Sequence, residues 1–183
     1  MNYHSIFHDD MKNGVGLRVT LFVSGCSHRC KGCHNPDTHD PESGELFDKK
    51  ALNRLMKHLD HDYIDGITLS GGDPLYCSNR KDINKLIDTI RKKFPTKTIW
   101  LYTGYKFSSI MKEPELREIV SKVDVLVDGR FKANKADANY PWAGSTNQAV
   151  IDIKETLKVY PEIILVEEED VEAKTNAILF GGN

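Results

Sequence analysis

Short apolar runs punctuate the first two thirds of the chain, and each ends in residues of another kind. Leu17 to Val23 (LRVTLFV), Gly66 to Ser70 (GITLS), Thr98 to Tyr102 (TIWLY) and Val123 to Val127 (VDVLV) are β-branched and apolar, the pattern of buried strands. Between them the apolar positions recur at helical spacing. Lys49 to Asp60 carries Leu52, Leu55, Met56 and Leu59, and Asn79 to Phe94 carries Ile83, Leu86, Ile87, Ile90 and Phe94. Glu113 to Lys122 carries Leu116, Ile119 and Val120. Asn35 to Phe47, with Pro36, Pro41 and Gly44, reads as a loop. Gln148 to Ile153 reads as a further strand.

Strands alternating with helices predict βαβ units and a parallel sheet, hence an α/β fold. Right-handed crossovers then bring the C-terminal ends of the strands to one edge. The unusual residues all fall there: Cys26, Cys30 and Cys33 after the first strand, and Gly71-Gly72-Asp73-Pro74 after the second. Thr103-Gly104-Tyr105 follows the third, and Asp128-Gly129-Arg130 the fourth. That edge is where parallel α/β sheets build their sites. The region from Pro161 onward is less regular. Its apolar patch (Ile163 to Val166), acidic run (Glu167 to Asp170) and Ala177 to Phe180 leave an added hairpin and a loosely held tail both open.

Composition narrows the class. The chain has 183 residues, 39% hydrophobic and 28% charged, as in a globular domain with a real core. Its formal net charge of −2 gives no bulk basic field for nucleic acid. MNYHSIFHDDMKNG lacks the apolar core of a signal peptide, and no apolar run approaches the ~18 residues of a membrane span. A cytoplasmic protein is expected, with no membrane and no nucleic acid among its partners. Thiols stay reduced in that compartment, so clustered cysteines read as metal ligands or catalytic groups.

Three thiols spaced C-x3-C-x2-C can hold three corners of a four-iron cluster and leave one iron open. The rival is a zinc site completed by His28, His34, His39 or Cys77, but zinc ligands usually come as two separated pairs, and no second pair exists. Cys77 reads as a small core residue or a spectator thiol.

The cysteine spacing, followed by GGDP after the next strand, resembles the radical S-adenosylmethionine enzymes. Longer segments narrow the likeness: MNYHSIFHDD, NGVGLRVTLFVSGCSHRCKGCHNPDT, ITLSGGDPL, IWLYTGY, VDVLVDGRF and WAGSTNQ. They extend to about residue 150 and resemble the glycyl-radical activases that serve anaerobic ribonucleoside-triphosphate reductases. The resemblance implies an incomplete (β/α) barrel open on one side, a [4Fe-4S] cluster on Cys26, Cys30 and Cys33, and S-adenosylmethionine bound to the free iron. It implies an oxidoreductase that splits this cofactor and makes a glycyl radical on the reductase, in a glycine loop near its C-terminus. An electron donor such as reduced flavodoxin would supply the cluster.

Residue by residue, the resemblance puts Gly32, Cys33 and His34 beside the cofactor. Gly32 stands where many of these enzymes have an aromatic residue. Gly71, Gly72 and Asp73 match a Gly-Gly-Glu-type element, and glycines let backbone approach a ligand. Substitution at Gly72 is expected to weaken cofactor binding and spare the cluster. Thr103, Asp128 and Arg130 are further candidate contacts, the Arg suited to a carboxylate. In the family a basic residue often stands where this chain has Ala143, so the resemblance does not carry a charge contact over to that position. The partial barrel is expected over residues 1–158, with an extension at 159–183.

Overall fold

The computed structural model describes residues 1–167. The acidic run beyond Glu167 and the Ala177 to Phe180 segment lie outside the described residues.

A seven-stranded sheet forms the frame: β1 (Asn2–Asp10), β2 (Arg18–Val23), β3 (Glu45–Leu46), β4 (Gly66–Gly71), β5 (Thr98–Tyr102), β6 (Val125–Asp128) and β7 (Ala149–Asp152). The spatial order is β3-β1-β2-β4-β5-β6-β7, and the sheet does not close. Of the five strands expected from the sequence, β2, β4, β5 and β6 run parallel in the centre, and the fifth is β7. β1 and β7 flank them antiparallel, and the short β3 pairs antiparallel with β1 at the outer edge. Helices α1 (Lys49–Leu59), α2 (Arg80–Lys93), α3 (Phe107–Ile110) and α4 (Pro114–Val120) fall in the crossovers, and α5 (Ile153–Val159) follows β7. The apolar patch at Ile163 to Val166 lies along β7: Asp152 N–H donates to the Ile164 carbonyl, and Val166 N–H to that of Val150.

Alternation along each strand assigns the two faces. One face carries Val19, Leu21, Val23, Ile67, Leu69, Ile99, Leu101, Leu126 and Ile151, packed on Leu55, Leu59, Ile83, Ile87 and Ile119 of the helices. This is the main core. The other face is mixed. Trp100, Val125, Val127 and Val150 form a small apolar cluster with Tyr102, Trp142, Ala143 and Val166. Beside them stand the polar residues Arg18, Thr20 and Thr68, all fully buried.

Arg18 organises this second face. Its Nε donates to Thr68 Oγ1 at 2.8 Å, Nη1 to Thr98 Oγ1 at 2.9 Å and Nη2 to the Ile67 carbonyl at 2.7 Å. Its guanidinium lies 5.4 Å from the Trp100 ring centre. Burial pushes its pKa down to about 10, so it remains a cation at neutral pH. Arg18→Met keeps the bulk and removes the donors. It is expected to cost about 2 kcal/mol in urea unfolding, the charge for leaving buried acceptors unpaired.

Candidate functional site

The parallel strands end together, and their loops enclose one cleft. It is lined by Cys26, Cys30, Cys33, His34, Gly71, Gly72, Thr103 and Arg130, all singled out in the sequence. Gly32, Asp73 and Asp128 do not line it. His28, Asn35, His39, Ser70, Tyr102, Gly104, Gly129, Phe131, Gly144 and Gln148 complete the lining.

The cysteine loop leaves β2 by backbone pairing. Gly25 N–H donates to the Thr38 carbonyl at 2.8 Å and Cys26 N–H to the His39 carbonyl at 3.1 Å. The three thiols are half-buried, and Cys33 Sγ accepts from Asn35 N–H at 3.4 Å. Burial, with Asp73 and Cys30 adding to it, pushes the Cys26 thiol up. Cys77 is exposed, which corrects the core reading and leaves the spectator one.

Gly71 and Gly72 face this loop from the end of β4. Gly71 has φ +106°, and a Cβ there would lie 2.4 Å from Val23 N. At Gly72 a Cβ would lie 2.6 Å from the Gly25 carbonyl oxygen and 2.7 Å from that of Thr38. These carbonyls shape the approach to Cys26, so the effect of a Gly72 substitution is not confined to the cofactor. Gly72→Ala is expected to cost about 2 kcal/mol through overpacking and to lower iron incorporation with it, read by iron analysis after reconstitution.

Asp73 turns away from the cleft. Its carboxylate is 1% exposed and is taken up by protein donors. Oδ1 accepts from Leu75 N–H at 2.8 Å, Oδ2 from Gly104 N–H at 3.1 Å, and the Thr103 hydroxyl stands 3.0 Å from both. His28 Nε2 lies 2.9 Å from Oδ2, a close polar contact that is not aligned as a hydrogen bond. On the other side of that ring, Nδ1 accepts from Arg130 Nε at 3.1 Å. His28 packs against Gly104, where a Cβ would lie 2.1 Å from its ring, and meets the Tyr105 ring edge-on at 4.8 Å. One chain of contacts, Arg130–His28–Asp73–Thr103, therefore links the loops after β6, β2, β4 and β5. Sequence reasoning had placed Thr103 and Asp73 against the cofactor, and it considered His28 only as a zinc ligand.

Asp128 is also turned into the fold. Oδ2 accepts from Phe107 N–H at 2.8 Å at the start of α3, and Oδ1 from Lys106 Nζ at 3.1 Å. Gln148 ties the WAGSTNQ segment to the site: its Oε1 accepts from Gly144 and Ser145 N–H, and its Nε2 donates to the Gly129 carbonyl at 3.0 Å. Gln148 lies in a segment the sequence had flagged, but its role depends on a contact across 19 residues that no local pattern encodes.

The donor set suits an iron–sulfur cluster. Among the described residues no three His, Cys, Asp or Glu side chains are gathered as a single metal ion needs. A cubane offers three separate irons to three thiolates, so its ligands need not converge on one point. His39 Nε2 is buried at the cleft with no hydrogen-bond partner, and Gly71–Gly72 offer bare backbone on the facing wall. Among the described residues no helix is long and apolar enough to cross a membrane.

Comparison with known proteins gives the family. The family described as a 4Fe-4S single cluster domain matches residues 12–151. The anaerobic ribonucleoside-triphosphate reductase-activating protein of Enterobacteria phage T4 is 45% identical over 148 residues, 81% of this chain and 92% of its own length. The protein of the same name from Escherichia coli K12 is 43% identical over 152 residues, covering 82% and 97%. That of Vibrio cholerae is 38% identical over 152 residues, again covering 82% and 97%. With the cysteine loop inside the matched span, this chain belongs to the family of anaerobic ribonucleoside-triphosphate reductase-activating proteins.

Proposed function

We propose that this protein is an oxidoreductase activase that generates a glycyl radical on an anaerobic ribonucleoside-triphosphate reductase. The observation that carries the reading is the meeting of three free thiols with the Gly71–Gly72 backbone across one cleft, in a chain of this family. Cys26, Cys30 and Cys33 would hold a [4Fe-4S] cluster with one iron left open. With S-adenosylmethionine bound there, a cluster held by these thiolates would supply the one electron needed to split the cofactor.

The remaining steps belong to this chain's residues. Gly71 and Gly72 let the strand edge approach the methionine ammonium, which backbone carbonyls accept. Arg130, on the cleft lining, is the candidate for the carboxylate, a group its fork fits. His34, exposed and 4.6 Å from the Phe131 ring, gives an aromatic wall on the side where Gly32 offers none. Asp73 and Asp128 act from behind: they hold the loops and leave the cleft to the ligand, while Thr103 lines the cleft with its hydroxyl turned to Asp73.

In this reading the open seven-stranded sheet is the incomplete barrel of the radical S-adenosylmethionine type, and its unclosed side admits the glycine loop of the reductase. Residues 1–158 carry the chemistry, with 159–183 as an extension. The protein works in the cytoplasm, and a carrier such as reduced flavodoxin feeds the cluster.

The test is anaerobic. The protein is reconstituted with iron and sulfide, given S-adenosylmethionine and a strong reductant, and assayed for 5'-deoxyadenosine with and without the reductase. Cleavage together with a glycine-centred radical on the reductase is the expected result. Cleavage without that radical keeps the enzyme class and moves the target to another glycyl-radical enzyme or a small molecule. Zinc without iron, and no cleavage, overturns the reading.

A further inference from the structure

The cysteine loop and the loop after β6 lie side by side. Arg130 reaches His28, His34 packs on Phe131, and the missing Cβ of Gly32 would lie 3.5 Å from that of Ala133. Both loops are basic. Arg29 and Lys31 project from the first, and Arg130, Lys132 and Lys135 from the second, all exposed. Residues 24–36 and 129–136 contain no Asp or Glu, and the exposed Asp37 and Asp137 mark where the two basic stretches end. Among the described residues Arg29, Lys31, Lys132 and Lys135 form no ion pair. In a chain of net charge −2, this is a local basic face around the three thiols.

These four side chains do not line the cleft. That separates two kinds of partner. A glycine that gives up a hydrogen atom must enter the cleft and touch the cofactor. An electron needs no such contact, since it can pass through the loop from outside. A basic surface beside the ligands and outside the cleft suits a partner that delivers charge without entering.

We propose that Arg29, Lys31, Lys132 and Lys135 form the docking surface for an acidic one-electron carrier protein of the flavodoxin kind. This rests on the activase reading above. In the docked complex one electron would leave the carrier's reduced flavin and enter a cluster held by the three thiolates. The flavin is oxidised by one electron and the cluster reduced by one, and no bond forms or breaks. Complementary charge accelerates encounter and fixes orientation, and salt weakens both.

The test compares the reconstituted protein with its Lys132→Glu/Lys135→Glu variant. Titration with an acidic flavodoxin gives Kd at low and high ionic strength, and stopped-flow gives the rate of cluster reduction. The variant is expected to bind at least ~10-fold more weakly at low salt, with a flatter salt dependence and proportionally slower reduction. Reduction by photoreduced deazaflavin, a small molecule that needs no docking, should be unchanged. Arg117→Glu, an exposed charge reversal on α4, should bind flavodoxin as the unaltered protein does. Unchanged Kd and unchanged reduction in the Lys132/Lys135 variant would overturn the docking surface. A loss of affinity for the reductase, with flavodoxin binding intact, would overturn it equally. If deazaflavin drives no 5'-deoxyadenosine formation in the unaltered protein, the activase reading fails, and the flavodoxin Kd still judges the surface on its own.

Discussion

Cys26→Ala protein should purify folded, take up almost none of the roughly four irons of a [4Fe-4S] cluster on reconstitution, and cleave no S-adenosylmethionine above background. The cubane needs all three thiolates, because two leave adjacent irons open to solvent and loss. Cys26 is half-buried, and its N–H holds the loop to the His39 carbonyl, a backbone bond that alanine keeps. The fold should therefore lose no more than about 1 kcal/mol in urea, within the range of ordinary substitutions. Cys30→Ala and Cys33→Ala should behave alike, and Cys77→Ala, at an exposed position away from the cleft lining, should keep iron and cleavage. Iron analysis and the 5'-deoxyadenosine assay settle it. Normal iron content in Cys26→Ala would remove this residue from the ligand set.

Much of that site was legible because its parts are local. Cysteine spacing needs only eight residues of sequence, and glycines announce tight backbone wherever they cluster. The four parallel strands were legible too. Each is buried on both faces, so each reads as a continuous apolar run, and their edge follows from the handedness of crossovers. β1 was not read as a strand. It has only one neighbour of any length, most of its residues are not buried, and its register shifts between Tyr3 and Ser5 and between Phe7 and Asp10. These irregularities break the two-residue period on which a strand reading depends. α5 is short, and within it Ile153 and Thr156 alone are buried, too sparse a stripe to see. Arg18 was passed over because a charged residue in an apolar run looks like an exception. Its partners at Thr68 and Thr98 lie 50 and 80 residues away.

The acidic residues show the opposite failure. Asp73 and Asp128 stand at strand ends, as ligand-binding carboxylates do, yet their oxygens are filled by backbone and side-chain donors from neighbouring loops. Position along the chain located them at the right edge. Which way each carboxylate turns depends on long-range partners such as Gly104, 31 residues away, and Phe107, 21 residues away. The same edge thus holds two sets of residues, one facing the cleft and one bracing it.

Asp73→Ala separates these two roles and should be the most damaging change outside the cysteines. It strips the acceptor from Leu75 N–H, Gly104 N–H and the Thr103 hydroxyl together. Each buried donor left unpaired costs about 1–3 kcal/mol, and water from the adjacent cleft offsets part of it, so about 4 kcal/mol is expected. A domain of this size is stable by about 5–15 kcal/mol, so the loss is a large share. Asp73→Asn keeps one acceptor oxygen but turns an amide N–H toward another donor, and should cost about half as much. Because His28 loses its partner and Gly104 its anchor, S-adenosylmethionine affinity should fall at least ~10-fold, the scale of a supporting residue behind a ligand site. Urea unfolding before reconstitution is the deciding measurement. A carboxylate that bound the cofactor directly would leave that midpoint unmoved and change affinity alone. A carboxylate that braces the β2, β4 and β5 loops lowers the midpoint first, with affinity falling as the consequence.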